Sequence, residues 1–338
     1  MMTKSNKIRI GLGVLVLSIC AVWAVAQDQG GPPPPGGGPA GASGGRGRGF
    51  GRGPGGGSGR GFGRGPGGGG RGAARYKKIV LAWADTRNGI AQHDSTSHAL
   101  AMIERLGYDS NLWDTYIRTD SNIVSYHPLM TTGQPASGGP SLNNADAIFF
   151  MGHREIQLDD QQKADLLKFV HDDGKGFVAS HVALTALASW PEFGEMLGGT
   201  YDEHPWGTVA GTVINEDPTS TMTRQFPSTF AFTDEFYQVK GFSREKSHVL
   251  LRLDLSKMPP NAGVHSTDGD FPIAWAKMYG KGRVFYSSLG HAAETWDNPE
   301  VNHMYFEAIK WALGLTDDDV TPKPYPATPA TVNAEPAR

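Results

Sequence analysis

Apolar and polar positions alternate in blocks along the middle of the chain, and the length of each block tells strand from helix. IVLAWAD (79–85) is a short, unbroken apolar run ending in polar residues, the pattern of a strand buried on both faces. In HDSTSHALAMIERLG (93–107), Leu100, Ile103 and Leu106 recur at helical spacing, with Gly107 as the expected stop. A second strand is expected around Ser110–Trp113, then a long polar loop over 115–145, then ADAIFFMG (145–152) as a third buried strand. LDDQQKADLLKFVHDDG (158–174) is amphipathic, with Leu166, Leu167, Phe169 and Val170 on one side, acids at its start and Gly174 after its end. GFVAS (176–180) is the fourth strand. This β-α-β-α-β order predicts an α/β fold with a doubly wound, mostly parallel sheet flanked by helices, and a ligand crevice at the carboxyl ends of the strands.

After Gly199 the rhythm changes. TVAGTVI, HVLLRL, PIAWAKMYG and GRVFYSS look like strands with short connections, and YGKGR between the last two supplies glycines for a hairpin. A helix from Pro299 to Leu313 closes the pattern, with Met304, Ile309 and Trp311 giving apolar contacts. These strands are expected to extend the same sheet in antiparallel or mixed fashion, within a single domain over 76–315.

The remaining segments do not have the composition of a core. Residues 1–26 begin with Lys4, Lys7 and Arg9, continue with an apolar run, and end in Ala24-Val25-Ala26, the pattern of a cleaved signal peptide. Its removal would take away Cys20, the only cysteine, and leave a secreted or periplasmic protein without disulfide, thiol nucleophile or thiolate metal site. Residues 27–75 repeat RGFGRGPGGG at 48–57 and 60–69 and are expected to form a flexible cationic tether that contacts anionic envelope surfaces. The tail over 316–338, rich in Asp, Pro and Ala, is expected to be loose. The whole chain carries a formal charge of −3; without the leader's three and the tether's six positive charges, about −12 remains on the folded part. That excess argues against nucleic acid as its partner.

The blocks GKGFVASH (174–181), DEFY (234–237), PIAWAKMYGKGRVFYSSLGH (272–291) and AIKWALG (308–314) together resemble the ThuA-like trehalose-utilisation family, over about Lys77 to Gly314. The resemblance implies a class I glutamine amidotransferase-like fold and a role on carbohydrate. In amidotransferases the turn after the fourth strand carries a cysteine nucleophile; here it reads Ser180-His181, so that chemistry is absent. MGHRE (151–155) departs from the family pattern by placing His153 and Arg154 at a strand end, which points to a different ligand.

The candidate chemistry is therefore histidine chemistry. His93, His153 and His181 follow the first, third and fourth strands and are expected along one crevice. That His204 and His291 join them is implied by the resemblance. Imidazole serves as acid or base near neutral pH and as a zinc ligand, although no HxH or HExxH motif is present. His181 is taken as the catalytic acid/base, with His93, His153, His204, His291 and Glu235 binding a small carbohydrate or a divalent metal such as zinc, and Trp206 as a sugar platform. A dyad of adjacent Ser180 and His181 is disfavoured, since neighbouring side chains at a strand tip diverge. GKGR (280–283) is a turn without the phosphate-loop pattern. A non-catalytic carbohydrate-binding or envelope protein is the competing expectation.

Overall fold

The computed structural model describes residues 77–325. The leader, the Gly/Arg/Pro-rich segment and the last 13 residues lie outside the described residues.

The chain begins with β1 (Lys78–Trp83), α1 (Ser95–Ser110), β2 (Trp113–Arg118), β3 (Ala147–Phe150), α2 (Asp160–His171) and β4 (Gly176–Ser180). A short 3-10 turn, His181–Thr185, leads to α3 (Pro191–Leu197), β5 (Thr200–Glu203), β6 (Thr208–Asn215), β7 (Thr229–Glu235) and β8 (Gln238–Lys240). The last elements are β9 (His248–Leu253), β10 (Pro272–Tyr279), β11 (Gly282–Ser287) and α4 (Pro299–Ala312). Nine strands form one sheet in the order β2-β1-β3-β4-β11-β10-β9-β6-β7, and β5 pairs with β8 apart from it.

The sheet is mixed, which corrects the mostly parallel expectation. From β2 to β11 every pairing is parallel, and from β11 to β7 every pairing is antiparallel. The physical reason lies in the connections. A helix crosses between β1 and β2 and another between β3 and β4, whereas a two-residue Gly280-Lys281 turn joins β10 to β11 and can only reverse the chain. Side chains of β1 alternate between two cores: Val80 and Ala82 on one face, Ile79, Leu81 and Trp83 on the other.

Two boundaries moved for identifiable reasons. Gly107 does not stop α1, which runs on to Ser110; the glycine lies where a Cβ would come within 2.4 Å of Trp113 Nε1. It is a packing position, and β2 consequently begins at Trp113 and not at Ser110. The capping box at Asp159 and Gln162 starts α2 where the acids pointed. Sequence patterning missed α3, β5, β7 and β8, all of them short or half-exposed.

Residues 316–325, expected to be loose, pack against the domain. Asp318 accepts from Thr221, Lys323 approaches Asp217 at 3.2 Å, and Tyr325 covers both Arg244 and Arg252. Arg244 pairs in turn with Glu216 and Asp270. A polar composition had hidden a docking segment, because its partners are themselves charged.

Candidate functional site

Strand direction gathers the site at one rim. Strands β1, β3, β4 and β11 run the same way, and two reversals later β9, then two more later β7, run that way too. The carboxyl end of β7, with Asp234 and Glu235, is therefore on the same side as the residues that follow β1, β3, β4 and β11. In a flat sheet β7 would lie about 19 Å from β11, four strand spacings away. The β6–β7 ribbon closes that distance because only Val213–Asn215, at its far end, pairs with β9, while seven residues pair β6 to β7. Its Glu235 end can swing across the rim.

Asp234 fixes it there. Its fully buried carboxylate accepts from the backbone N–H of Gly290 (2.9 Å) and His291 (3.0 Å), the Thr295 hydroxyl (3.1 Å) and the Glu235 N–H (2.8 Å). The Ser95 hydroxyl, at the start of α1, donates to Gly290 O at 2.9 Å and ties the His93 loop to the same turn. Gly290 has φ +148°, and a Cβ there would meet Ser180 Oγ at 2.8 Å, so close approach of this turn to β4 requires glycine.

The result is a cluster. One donor atom each from His93, His181, Glu235 and His291 lies within 4.8 Å of all the others. His181 Nε2 is 3.5 Å from Glu235 Oε2, His291 Nδ1 is 3.3 Å from the same oxygen, and the two ring nitrogens are 3.3 Å apart. His93 packs edge-on to His153, His181 and His291, with ring centroids 5.0–5.1 Å away.

His181 is buried completely. Its Nδ1–H donates to Ser288 O at 2.7 Å, which leaves the Nε2 lone pair facing the cluster when the ring is neutral. The Tyr237 ring lies against it, tilted by 34° with centroids 4.4 Å apart, and His181 has φ +42°, a left-handed conformation at the tip of β4. His181 thus has one engaged nitrogen and one directed inward, a narrower range of action than an acid/base exposed to substrate.

Electrostatics separate the histidines. Burial, and then the neighbouring rings of His181, His153 and His291, bring His93 down to about 3, so it is neutral at physiological pH. Burial, and then the Arg154 charge, also lower His153. The Glu235 carboxylate, 3.3 Å from its Nδ1, raises His291. Burial would push Glu235 up, but the adjacent imidazoles of His181 and His291 outweigh it and hold the carboxyl well below the usual range. Burial pushes the Tyr237 phenol far up, and Tyr201 to about 12.

The other expected residues are distributed as follows. His153 is at the rim with Nδ1 3.2 Å from Ala91 O, and His204 Nε2 is 3.8 Å from Glu235 Oε1. Trp206 is partly buried, donates to Pro259 O and packs on Phe271, so its ring belongs to a local apolar contact. Trp83, Trp113 and Trp296 are core residues. Away from the cluster, His248 is buried against Asp217 and His265 pairs with Asp202. Tyr201 and Tyr237, the latter the last residue of DEFY, were given no role by the sequence reading, since a lone tyrosine carries no spacing signal. A cavity of about 280 Å³, lined by Asp202, Gln238, Phe242, His265 and Phe271, borders the site through Tyr237.

Three ligand atoms on a 3.3–3.5 Å triangle are too far apart for charge-assisted hydrogen bonds of about 2.7–2.9 Å. A tetrahedral ion with ligands at about 2.0–2.1 Å sets its ligands about 3.3–3.4 Å from one another, whereas octahedral neighbours would be about 3.0 Å apart. The donor set, three imidazoles and a carboxylate, suits a zinc-class cation.

A family model described as ThuA, trehalose utilisation, matches residues 79–312. Among solved structures, a ThuA-like protein from Bacteroides uniformis is similar at 20% identity and a TM-score of 0.56, covering 71% of this chain and 93% of that one. Another, from Parabacteroides merdae, is similar at 14% identity and a TM-score of 0.51, covering 70% and 90%. Comparison with curated proteins found no match.

Proposed function

The chain belongs to the ThuA, trehalose-utilisation family, and we propose that its histidine–carboxylate cluster holds a divalent cation of the zinc kind and acts on a sugar or sugar derivative at that rim. The observation that carries this reading is the 3.3–3.5 Å triangle formed by His181, His291 and Glu235, with His93 beside it. Held by His93, His181, His291 and Glu235, such a cation would supply Lewis-acid polarisation of a carbonyl or hydroxyl oxygen of the sugar.

The chain's own groups do the rest. His181, with its tautomer fixed by Ser288 O, serves as a ligand, a role different from the acid/base one its position first suggested. His93, kept neutral, offers a lone pair at all physiological pH values. His153, also biased toward the neutral form, and His204, beside Glu235 Oε1, are the groups at the rim that take and return protons. The cavity beyond Tyr237 has the polar lining that hydroxyl groups require. The convergence of histidines, together with the burial of Trp83, Trp113 and Trp296, favours an enzyme over a carbohydrate-binding module built on aromatic platforms.

Two finer readings accompany it. The left-handed backbone of His181 at the tip of β4 supports a class I glutamine amidotransferase-like fold whose nucleophile turn has lost its cysteine. The basic start and apolar run of residues 1–26 support export, with the cationic segment at 27–75 contacting anionic envelope surfaces.

The test is metal analysis of purified protein followed by a sugar-library turnover screen on chelator-stripped and zinc-restored samples. The proposal requires activity that is lost on stripping and regained with zinc. Full activity in stripped protein would refute the metal role.

A further inference from the structure

The geometry points to Arg154 as the recognition residue for an anionic oxygen group on the substrate, so that the sugar acted upon is a sugar acid or a sugar phosphate and not a neutral sugar. This deepens the reading of the site as a metal-dependent sugar enzyme and rests on it for the position of the substrate.

Arg154 follows His153, whose ring packs on His93 of the cluster, and its charge is felt both at His153 and at the Tyr201 phenol. Tyr201 in turn lies against Tyr237 and His204, on the opposite side of the rim. Arg154 is exposed and stands at the His153 end of the rim, beside the cluster. Of the eight arginines among the described residues, Arg87, Arg105, Arg118, Arg244, Arg252 and Arg283 each have a carboxylate within 4 Å, whereas Arg154 and Arg224 have none. Glu155, next in sequence, accepts from Ser189 N–H and hydroxyl at 2.9 Å, and Glu203 on β5 accepts from His204 N–H. A fork of five donors is left for a ligand.

The backbone presenting it is held in place. Arg154 has φ +61°, an uncommon conformation for a side-chain-bearing residue. Its N–H donates to Thr185 Oγ1 at 3.3 Å, and its carbonyl accepts from Leu187 N–H at 3.1 Å. Three of the four non-glycine residues with positive φ among the described residues, Arg154, His181 and Leu187, belong to this junction. The loop bearing Arg154 is thus clamped to the segment bearing His181, which fixes the backbone from which the side chain reaches the rim. A planar guanidinium matches carboxylate and phosphate in bidentate fashion.

The test compares affinities of purified full-length protein, by calorimetry, for D-glucuronate, D-gluconate, D-glucose 6-phosphate and D-glucose, in the wild type, Arg154→Ala and Arg154→Lys, with metal content and melting temperature measured for each. The expected result is that one anionic probe binds wild type at least about tenfold more tightly than D-glucose, that Arg154→Ala collapses that ratio to near one, and that Arg154→Lys restores it in part. Preference for the carboxylates identifies a sugar acid, and preference for the phosphate identifies a sugar phosphate. Equal binding of charged and neutral probes by wild type, binding of none of them, or a ratio unchanged in a folded Arg154→Ala protein overturns the inference. If no metal is found yet the ratio depends on Arg154, anion recognition stands and the metal reading falls.

Discussion

Replacing Asp234 separates the rigidity of the site from its ligands. Asp234 touches no proposed substrate or cation atom, yet its two oxygens accept four hydrogen bonds, two of them from the backbone of Gly290 and His291. Asp234→Asn keeps the shape but offers one acceptor oxygen where there were two. The Thr295 hydroxyl can turn to accept from the new amide, but one backbone N–H is left facing an NH2 group. A buried unsatisfied donor costs about 1–3 kcal/mol, and hydrogen bonds to a charged acceptor are worth about 1.5–3 kcal/mol, so a loss of about 2–3 kcal/mol is expected. Asp234→Ala strands all four donors and should cost about 3–5 kcal/mol. For a domain of this size each kcal/mol lowers Tm by about 2–4 °C, which puts Asp234→Asn about 4–12 °C below wild type. The assay is thermal unfolding followed by circular dichroism in excess chelator, because a bound ion would add its own stabilisation. Metal affinity, measured separately, should fall about 10–100-fold, as for loss of a group that orients ligands. An Asp234→Asn protein within about 0.5 kcal/mol of wild type and with unaltered metal affinity would refute the idea that this carboxylate fixes the rim.

Other outcomes follow from the same structure. His291→Ala should lower metal affinity by more than the 10–100-fold typical of a ligand's neighbour, read by competition with a chromophoric chelator, while unfolding of the chelated protein stays cooperative. In the metal-free protein, the lowered His93 and Glu235 groups make stability fall on acidification: His93 loses its contribution as pH drops from 6.5 toward about 3, and Glu235 as pH drops below its ordinary 4.5. The raised His291 acts oppositely, contributing below pH 6.5 and losing that contribution as pH rises through its elevated value, so urea titrations should give a stability maximum near neutrality. Gly107→Ala should destabilise despite the helix preference of about 1 kcal/mol for alanine, because the new Cβ would strike Trp113; a raised Tm would contradict that packing. Tyr325→Ala removes cation-π contacts to two arginines and a hydrogen bond to Gly269 O, for an expected loss of about 2 kcal/mol in urea unfolding.

How much of this was legible in the sequence depends on how local the cause was. The buried strands β1, β3 and β4 read directly, because unbroken apolar runs have no other use at that length. α2 read directly because its caps are encoded within it. Gly107 misled because a helix-breaking residue can be kept for the space it leaves, and its partner Trp113 lies beyond the helix. β7 was invisible because its residues alternate between exposed and half-buried and the signal of an edge strand is weak. At the site, His93, His153 and His181 could be grouped from strand order alone. Glu235 and His291 join them through the reversal count of the antiparallel half and the splay of one ribbon, which no local pattern records. The docked segment 316–325 was hidden for a related reason: its partners are charges on β9 and in the loops after β6 and β8.

X-ray absorption at the zinc edge on the purified, zinc-loaded protein addresses the cluster most directly. The account predicts one ion per chain with about four nitrogen and oxygen neighbours at about 2.0–2.1 Å and the outer-shell scattering of imidazole rings, both reduced in His291→Ala. A folded protein that takes up no ion, or one whose bound ion keeps the same imidazole signal after His181 and His291 are both replaced, would contradict it.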